Sequence, residues 1–182
     1  NTQLEFDTYA VGTISYLGLH ASNCATLPTL PIASFTYSPL SICEGDSVIF
    51  TNLSSNASSS IWTFPGGSPA SSTLQNPIVI WTTASSTYEV SLQAINTAGT
   101  DTSIQTITIN PIPTAAIITQ LGSQLASSAP SNNQWYLNGA IIPGATSQYY
   151  TPIQNGNYSV VVSNAFGCSA VSAPYNLLNV GL

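Results

Sequence analysis

The residues able to carry chemistry are few and scattered. His20 is the single histidine. A serine nucleophile needs an imidazole beside it and a carboxylate to hold that imidazole. His20, Asp7 and any of the serines supply the types, yet no Gly-x-Ser-x-Gly elbow occurs. Cys24 with His20 supplies the types for thiol catalysis, but in an oxidising compartment the thiol is expected to be paired instead. Cys24, Cys43 and Cys168 are too few and too dispersed for a structural zinc site, which takes four nitrogen or sulfur ligands. Calcium wants six to eight oxygens. Glu44 and Asp46, flanking Gly45, and Glu5 with Asp7 are the only close pairs among the six carboxylates. Turn carboxylates more often satisfy backbone amides than hold a metal. The expectation is therefore no catalytic centre, no metal and no cofactor, with His20 a solvated or strand-edge residue.

Composition excludes more. Charged residues make up 3% of the 182-residue chain, with no lysine, no arginine and a net charge of −6, against about 25% charged residues in ordinary proteins. Nucleic-acid binding displaces phosphate counterions with Lys and Arg, so it is excluded. Phosphate cradles built on a lysine and polybasic attachment to anionic membranes go with it. No run of about 20 apolar residues is present, so no membrane insertion is expected. Any secretory signal is expected to have been removed already, leaving Asn1 at a mature terminus outside the cell. Surface polarity must come from Ser, Thr, Asn and Gln. Such a surface repels its own copies weakly and permits close self-association.

The elements that would position any site read as strands. Ile61-Trp62-Thr63-Phe64-Pro65-Gly66-Gly67 places Trp62 and Phe64 on one face and then breaks into a turn. Around it, Phe35 and Tyr37, then Ser47-Val48-Ile49-Phe50, then Ile78-Val79-Ile80-Trp81 form short strands. Tyr88, Val90, Leu92 and Ala94 alternate before Asn96-Thr97-Ala98-Gly99, and Ile104, Thr106 and Thr108 alternate in a closing strand. Short strands with a turn signal every 8–12 residues argue for a sandwich. Pro111-Ile112-Pro113 marks a boundary. Beyond it Gln134-Trp135-Tyr136-Leu137-Asn138-Gly139 puts a second tryptophan ahead of a hairpin turn. The first 31 residues differ: Leu4, Phe6, Tyr9, Val11, Ile14, Tyr16 and Leu19 recur in a strand-prone background ending in a Pro-rich linker. This arm is expected either to form an edge strand or hairpin on its own domain, or to complete the sheet of a neighbouring subunit. With three cysteines, one pair and a leftover thiol are expected. Cys24 with Cys43 is the preferred pair, both lying at the entrance to the first sandwich.

Several of these segments resemble a known family. Ile42-Cys43-Glu44-Gly45-Asp46-Ser47-Val48, Trp62-Thr63-Phe64-Pro65-Gly66-Gly67, Asn76-Pro77, Tyr88-Glu89-Val90-Ser91-Leu92 and Asn96-Thr97-Ala98-Gly99-Thr100-Asp101 together resemble a PKD domain, an immunoglobulin-like sandwich of secreted and surface proteins. The Thr63–Gly67 variant is similar to those in secreted proteins of Bacteroidota. Trp135-Tyr136-Leu137-Asn138-Gly139, Gly156-Asn157-Tyr158-Ser159-Val160 and Gly167-Cys168-Ser169 resemble the immunoglobulin-like repeats that accompany such domains. Relatives of that repeat often carry an early cysteine to pair with the one at Cys168; residues 121–129 offer none, so an intradomain disulfide there is in doubt. Asp46-Ser47-Val48 resembles the O-glycosylation sequence of Bacteroidota, which would modify Ser47. Asn52, Asn56 and Asn157 match the N-linked acceptor pattern, a coincidence in a bacterial protein.

The sequence thus predicts an all-β chain of two tandem immunoglobulin-like sandwiches: a strand arm and linker at 1–31, a PKD-like sandwich at 32–111 and a smaller one at 112–182. The function expected is that of a non-enzymatic extracellular structural protein, a filament or adhesive-layer subunit that forms a homo-oligomer or polymer through its arm. The alternative is a binding or spacer module of a secreted hydrolase or adhesin, taking a glycan or surface protein on Trp81, Tyr149 and Tyr150.

Overall fold

The computed structural model describes residues 5–11, 14–20 and 28–180, with backbone alone at 5–11, 14–20 and 85–86. Its regular elements are all strands. β1 (Glu5–Val11) and β2 (Ile14–His20) pair antiparallel, from Glu5 opposite His20 to Val11 opposite Ile14. The arm is thus strand, as its composition predicts, and its two strands pair with each other as in the expected hairpin form. Its two strands form a sheet of their own.

The first sandwich holds β3 (Phe35–Ser38), β4 (Ile42–Cys43), β5 (Ser47–Asn52), β6 (Ser59–Thr63), β7 (Ser71–Ser72), β8 (Ile78–Ile80), β9 (Ser85–Asn96) and β10 (Gly99–Asn110). One sheet is ordered β3-β5-β8 and the other β4-β10-β9-β6-β7. Period-2 alternation decides what lies between them: Val48 and Phe50 point in while Ser47 and Ile49 point out, and Val90, Leu92 and Ala94 point in from β9. Trp62, fully buried, stacks on Phe64 at 5.6 Å, meets Phe35 edge-on at 5.1 Å and donates from Nε1 to the Leu74 carbonyl at 2.9 Å. The turn after Phe64 is pressed into this core. Trp81 Nε1 donates to the Pro65 carbonyl, and a Cβ at Gly67 would stand 2.6 Å from Val79 Cγ1. That position therefore takes glycine.

The second sandwich holds β11 (Ile118–Leu121), β12 (Gln124–Ser127), β13 (Asn133–Leu137), β14 (Ala140–Ile141), β15 (Tyr149–Tyr150), β16 (Gly156–Ser163), β17 (Ser169–Val171) and β18 (Tyr175–Leu177). Its sheets are ordered β11-β12-β15 and β14-β13-β16-β17, with β18 also on β16. Trp135, Tyr158, Val160 and Leu125 fill its interior. Trp135 repeats the device of Trp62, donating from Nε1 to the Ser147 carbonyl at 2.9 Å. Tyr158 is wholly buried and donates to the Gln154 carbonyl at 2.7 Å. Burial raises its pKa above the usual tyrosine value near 10, and the neighbouring Tyr150 adds to the rise. A raised folded-state pKa means the native state holds the proton longer than the unfolded chain. The stability contributed by neutral Tyr158 is thus intact below about pH 10 and lost as pH rises through the folded value. Denaturant midpoints taken across alkaline pH should fall above pH 10, and Tyr158→Phe should remove part of that fall.

Candidate assembly interface

The longest strands are β9 and β10, twelve residues each. Asn96 lies opposite Gly99 across a two-residue turn, with Asn96 Oδ1 accepting from the Ala98 and Gly99 amides. The pair flanking such a turn is hydrogen-bonded, and bonded and non-bonded pairs alternate from there. Asp101, Ser103, Gln105 and Ile107 therefore bond to β9, whereas Thr100, Thr102, Ile104 and Thr106 direct their backbone N–H and C=O away from it. On that far side β10 has β4, and only at Ile109 and Asn110. Among the described residues no strand and no backbone hydrogen bond reaches residues 100–106 from there. The inward side is tied down: Asp101 Oδ2 accepts from the Ala33 amide at 2.7 Å, and Gln105 Nε2 donates to the Phe35 carbonyl at 2.6 Å.

Natural edge strands are blunted by brevity, lysine, proline or bulges. The other edges of the two sandwiches are short: β7, β14 and β15 have two residues each, β8, β17 and β18 have three, β11 has four, and β3 has four and runs into Pro39. β10 is not. Its outward residues are threonines and an isoleucine, Ile104 is 61% exposed, and the pairing irregularity comes only between Ile107 and Ile109.

The two sandwiches are joined covalently. Cys43 bonds to Cys168, with Cα atoms 5.7 Å apart across a sequence separation of 125. This corrects the expected pairing of Cys24 with Cys43. β4 runs parallel to the last residues of β10, placing Cys43 opposite Asn110, where the chain leaves for the second sandwich. The turn before β17 meets it there. Asn164 Oδ1 accepts from the Phe166 and Cys168 amides, and its Nδ2 donates to the Pro111 carbonyl at 2.7 Å. Ser41 Oγ also donates to the Phe166 carbonyl. Proximity in space across the junction outranks proximity in sequence. Cys24 lies outside the described residues.

The ordered tryptophan, glycine-turn and alternating-strand segments on these two sheets lie within a stretch that matches a known family. Residues 32–109 match the PKD domain family. No curated protein matches the chain. Solved structures similar to it include one from work on the promiscuous specificity of carbohydrate-binding modules of the β-sandwich superfamily, 16% identical with a TM-score of 0.43, covering 75% of this chain and 56% of that one. The titin domains Z1Z2 in complex with telethonin are 18% identical at a TM-score of 0.35, covering 81% and 96%. The N-terminal Ig1-2 module of the Drosophila receptor protein tyrosine phosphatase DLAR is 13% identical at 0.26, covering 79% and 97%. Likeness at this level carries nothing about ligand or activity.

The other sequence candidates lie as follows. Glu44 accepts from the Ala84 and Ile112 amides and Asp46 from the Cys43 amide, so both turn carboxylates serve the backbone. Among the described residues no three His, Cys, Asp or Glu side chains are grouped to hold a metal, and no helix is long and apolar enough to cross a membrane. Ser47 is exposed at the start of β5. Trp81 is fully buried against Phe64, Phe50 and Tyr88 in the first core, a packing role that removes it from the sugar platform of the alternative reading. Tyr150 stacks on Trp135 in the other sandwich, leaving Tyr149 half exposed without the aromatics expected beside it. In the arm, Phe6 pairs with Leu19, Tyr9 with Tyr16 and Val11 with Ile14, so six of the seven candidate residues are three cross-strand pairs. Leu4 lies outside the described residues. In the same register His20 is opposite Glu5 and Asp7 is opposite Gly18. The feature that sequence reading missed is the β10 edge. Its signal was present in the uninterrupted Thr-x-Thr-x-Ile-x-Thr alternation at residues 100–106.

Proposed function

We propose that this chain is a non-enzymatic extracellular structural protein that assembles with copies of itself through its N-terminal strands, the sandwiches at 32–111 and 112–182 serving as its structural units. One observation carries the reading. β1 and β2 form a two-stranded sheet that shares no strand with either sandwich. A lone hairpin is marginal in water and gains stability by joining a larger sheet. A donor that engages the next copy rather than its own makes a heterologous contact, which propagates into a filament unless it closes into a ring. The near absence of ionised groups leaves little charge repulsion between stacked copies. The inter-sandwich disulfide fits an oxidising, extracellular setting.

Removing residues 1–20 should abolish polymer and leave a folded monomer, read by size-exclusion chromatography and negative-stain microscopy with circular dichroism as the folding control. Polymer that persists without the arm refutes the proposal.

A further inference from the structure

Resting on that reading, we infer that the receiving surface is the open edge of β10, residues 100–106, and that its occupant is β2 of a second copy of this chain. Four observations converge. Thr100, Thr102, Ile104 and Thr106 present a row of backbone donors and acceptors with no partner strand among the described residues. That row offers a stretch of the same length as β2, which has seven residues. Its outward positions carry neither charge nor proline, and Asp101, the one charged residue on the stretch, has its Oδ2 engaged by the Ala33 amide. And the same chain holds a hairpin whose outer edges are themselves unpaired among the described sheets.

Charge selects between the two hairpin strands. β1 carries Glu5 and Asp7, while β2 (Ile14-Ser15-Tyr16-Leu17-Gly18-Leu19-His20) carries no carboxylate. β10 holds Asp101 and lies beside Glu89 of β9, which is opposite Thr106. Like charges opposed across strands destabilise the pair, so β2 is the strand that fits, with β1 on its far side. The product is a continuous sheet running β10, β2, β1 across the contact, main-chain hydrogen bonds supplying the affinity as in other β-augmented complexes.

Backbone amide exchange of the full-length protein, followed by NMR or mass spectrometry at low and high protein concentration, tests this. In dilute monomer the outward amides of Thr100, Thr102, Ile104 and Thr106 should exchange fast while those of Asp101, Ser103 and Gln105, bonded to β9, exchange slowly. On assembly the outward set should slow by on the order of 100-fold. Thr102→Pro removes an outward donor without touching the β9 ladder; it should raise the concentration needed for assembly at least about tenfold, with an unchanged melting temperature. Ile104→Lys, adding an edge blocker, should do the same. Each contrary result is informative. Polymer that forms normally in both variants, with residues 100–106 still exchanging fast, overturns the β10 assignment and leaves arm-driven assembly standing. Protection of residues 100–106 that is independent of concentration means the chain's own hairpin covers the edge and overturns the second copy as occupant. A wild-type chain that stays monomeric at all concentrations overturns this inference and the assembly reading together.

Discussion

Pulled from its two ends, the oxidised protein is expected to yield only the contour of residues 1–42 and 169–182, roughly 185–200 Å, before it breaks its attachment. The bond between Cys43 and Cys168 closes a loop spanning a sequence separation of 125. Tension entering at either terminus passes through that bond and bypasses the loop. Inside it lie Val48, Phe50, Trp62, Trp81 and Leu92 of the first core and Leu125, Trp135, Tyr158 and Val160 of the second core. Only Phe35 and Ile42 of the first core and Leu177 of the second lie outside. At roughly 3.3–3.6 Å per extended residue, reduction or Cys168→Ser should release a further ~410–450 Å of contour on unfolding. Single-molecule stretching with and without reductant measures this directly. Full-length extension under oxidising conditions would show that the load does not pass through Cys43 and Cys168.

The second large effect is expected at Trp62. Its ring is fully buried, packed on Phe64, Phe35 and Phe50 at 5.1–5.6 Å. Trp62→Ala should cost about 3–5 kcal/mol, a large part of the ~5–15 kcal/mol that holds a domain together. Trp62→Phe should cost about 1–2 kcal/mol, because the aromatic contacts survive while the Leu74 carbonyl, on an exposed residue, turns to water. Chemical denaturation followed by circular dichroism reads both. A loss below about 1 kcal/mol for Trp62→Ala would mean that the core is not organised on this ring.

How much of this was legible beforehand depended on the range of the interaction involved. Strand positions followed from alternation. The burial of Val48, Phe50, Val90, Leu92 and Ala94 is a local consequence of a period of two on a sheet with one wet face. The glycine turn after Phe64 was equally readable, since few residues tolerate a backbone pressed against Val79 and Trp81. Trp81 was harder. A tryptophan at a strand end looks the same in sequence whether it points into the core or out, and only the opposing sheet decides.

Amino-acid order by itself determined the β character of the chain, its two tryptophan-centred cores and the match of residues 32–109 to the PKD domain family. Each of these depends on near neighbours or on composition, and both are written along the chain. Tertiary structure alone decided that Cys43 meets Cys168 and that, among the described residues, no strand pairs with β10 at 100–106. Those outcomes depend on which segments become adjacent once two sheets have closed on a core. Contacts between residues more than a hundred positions apart leave no period and no spacing to read.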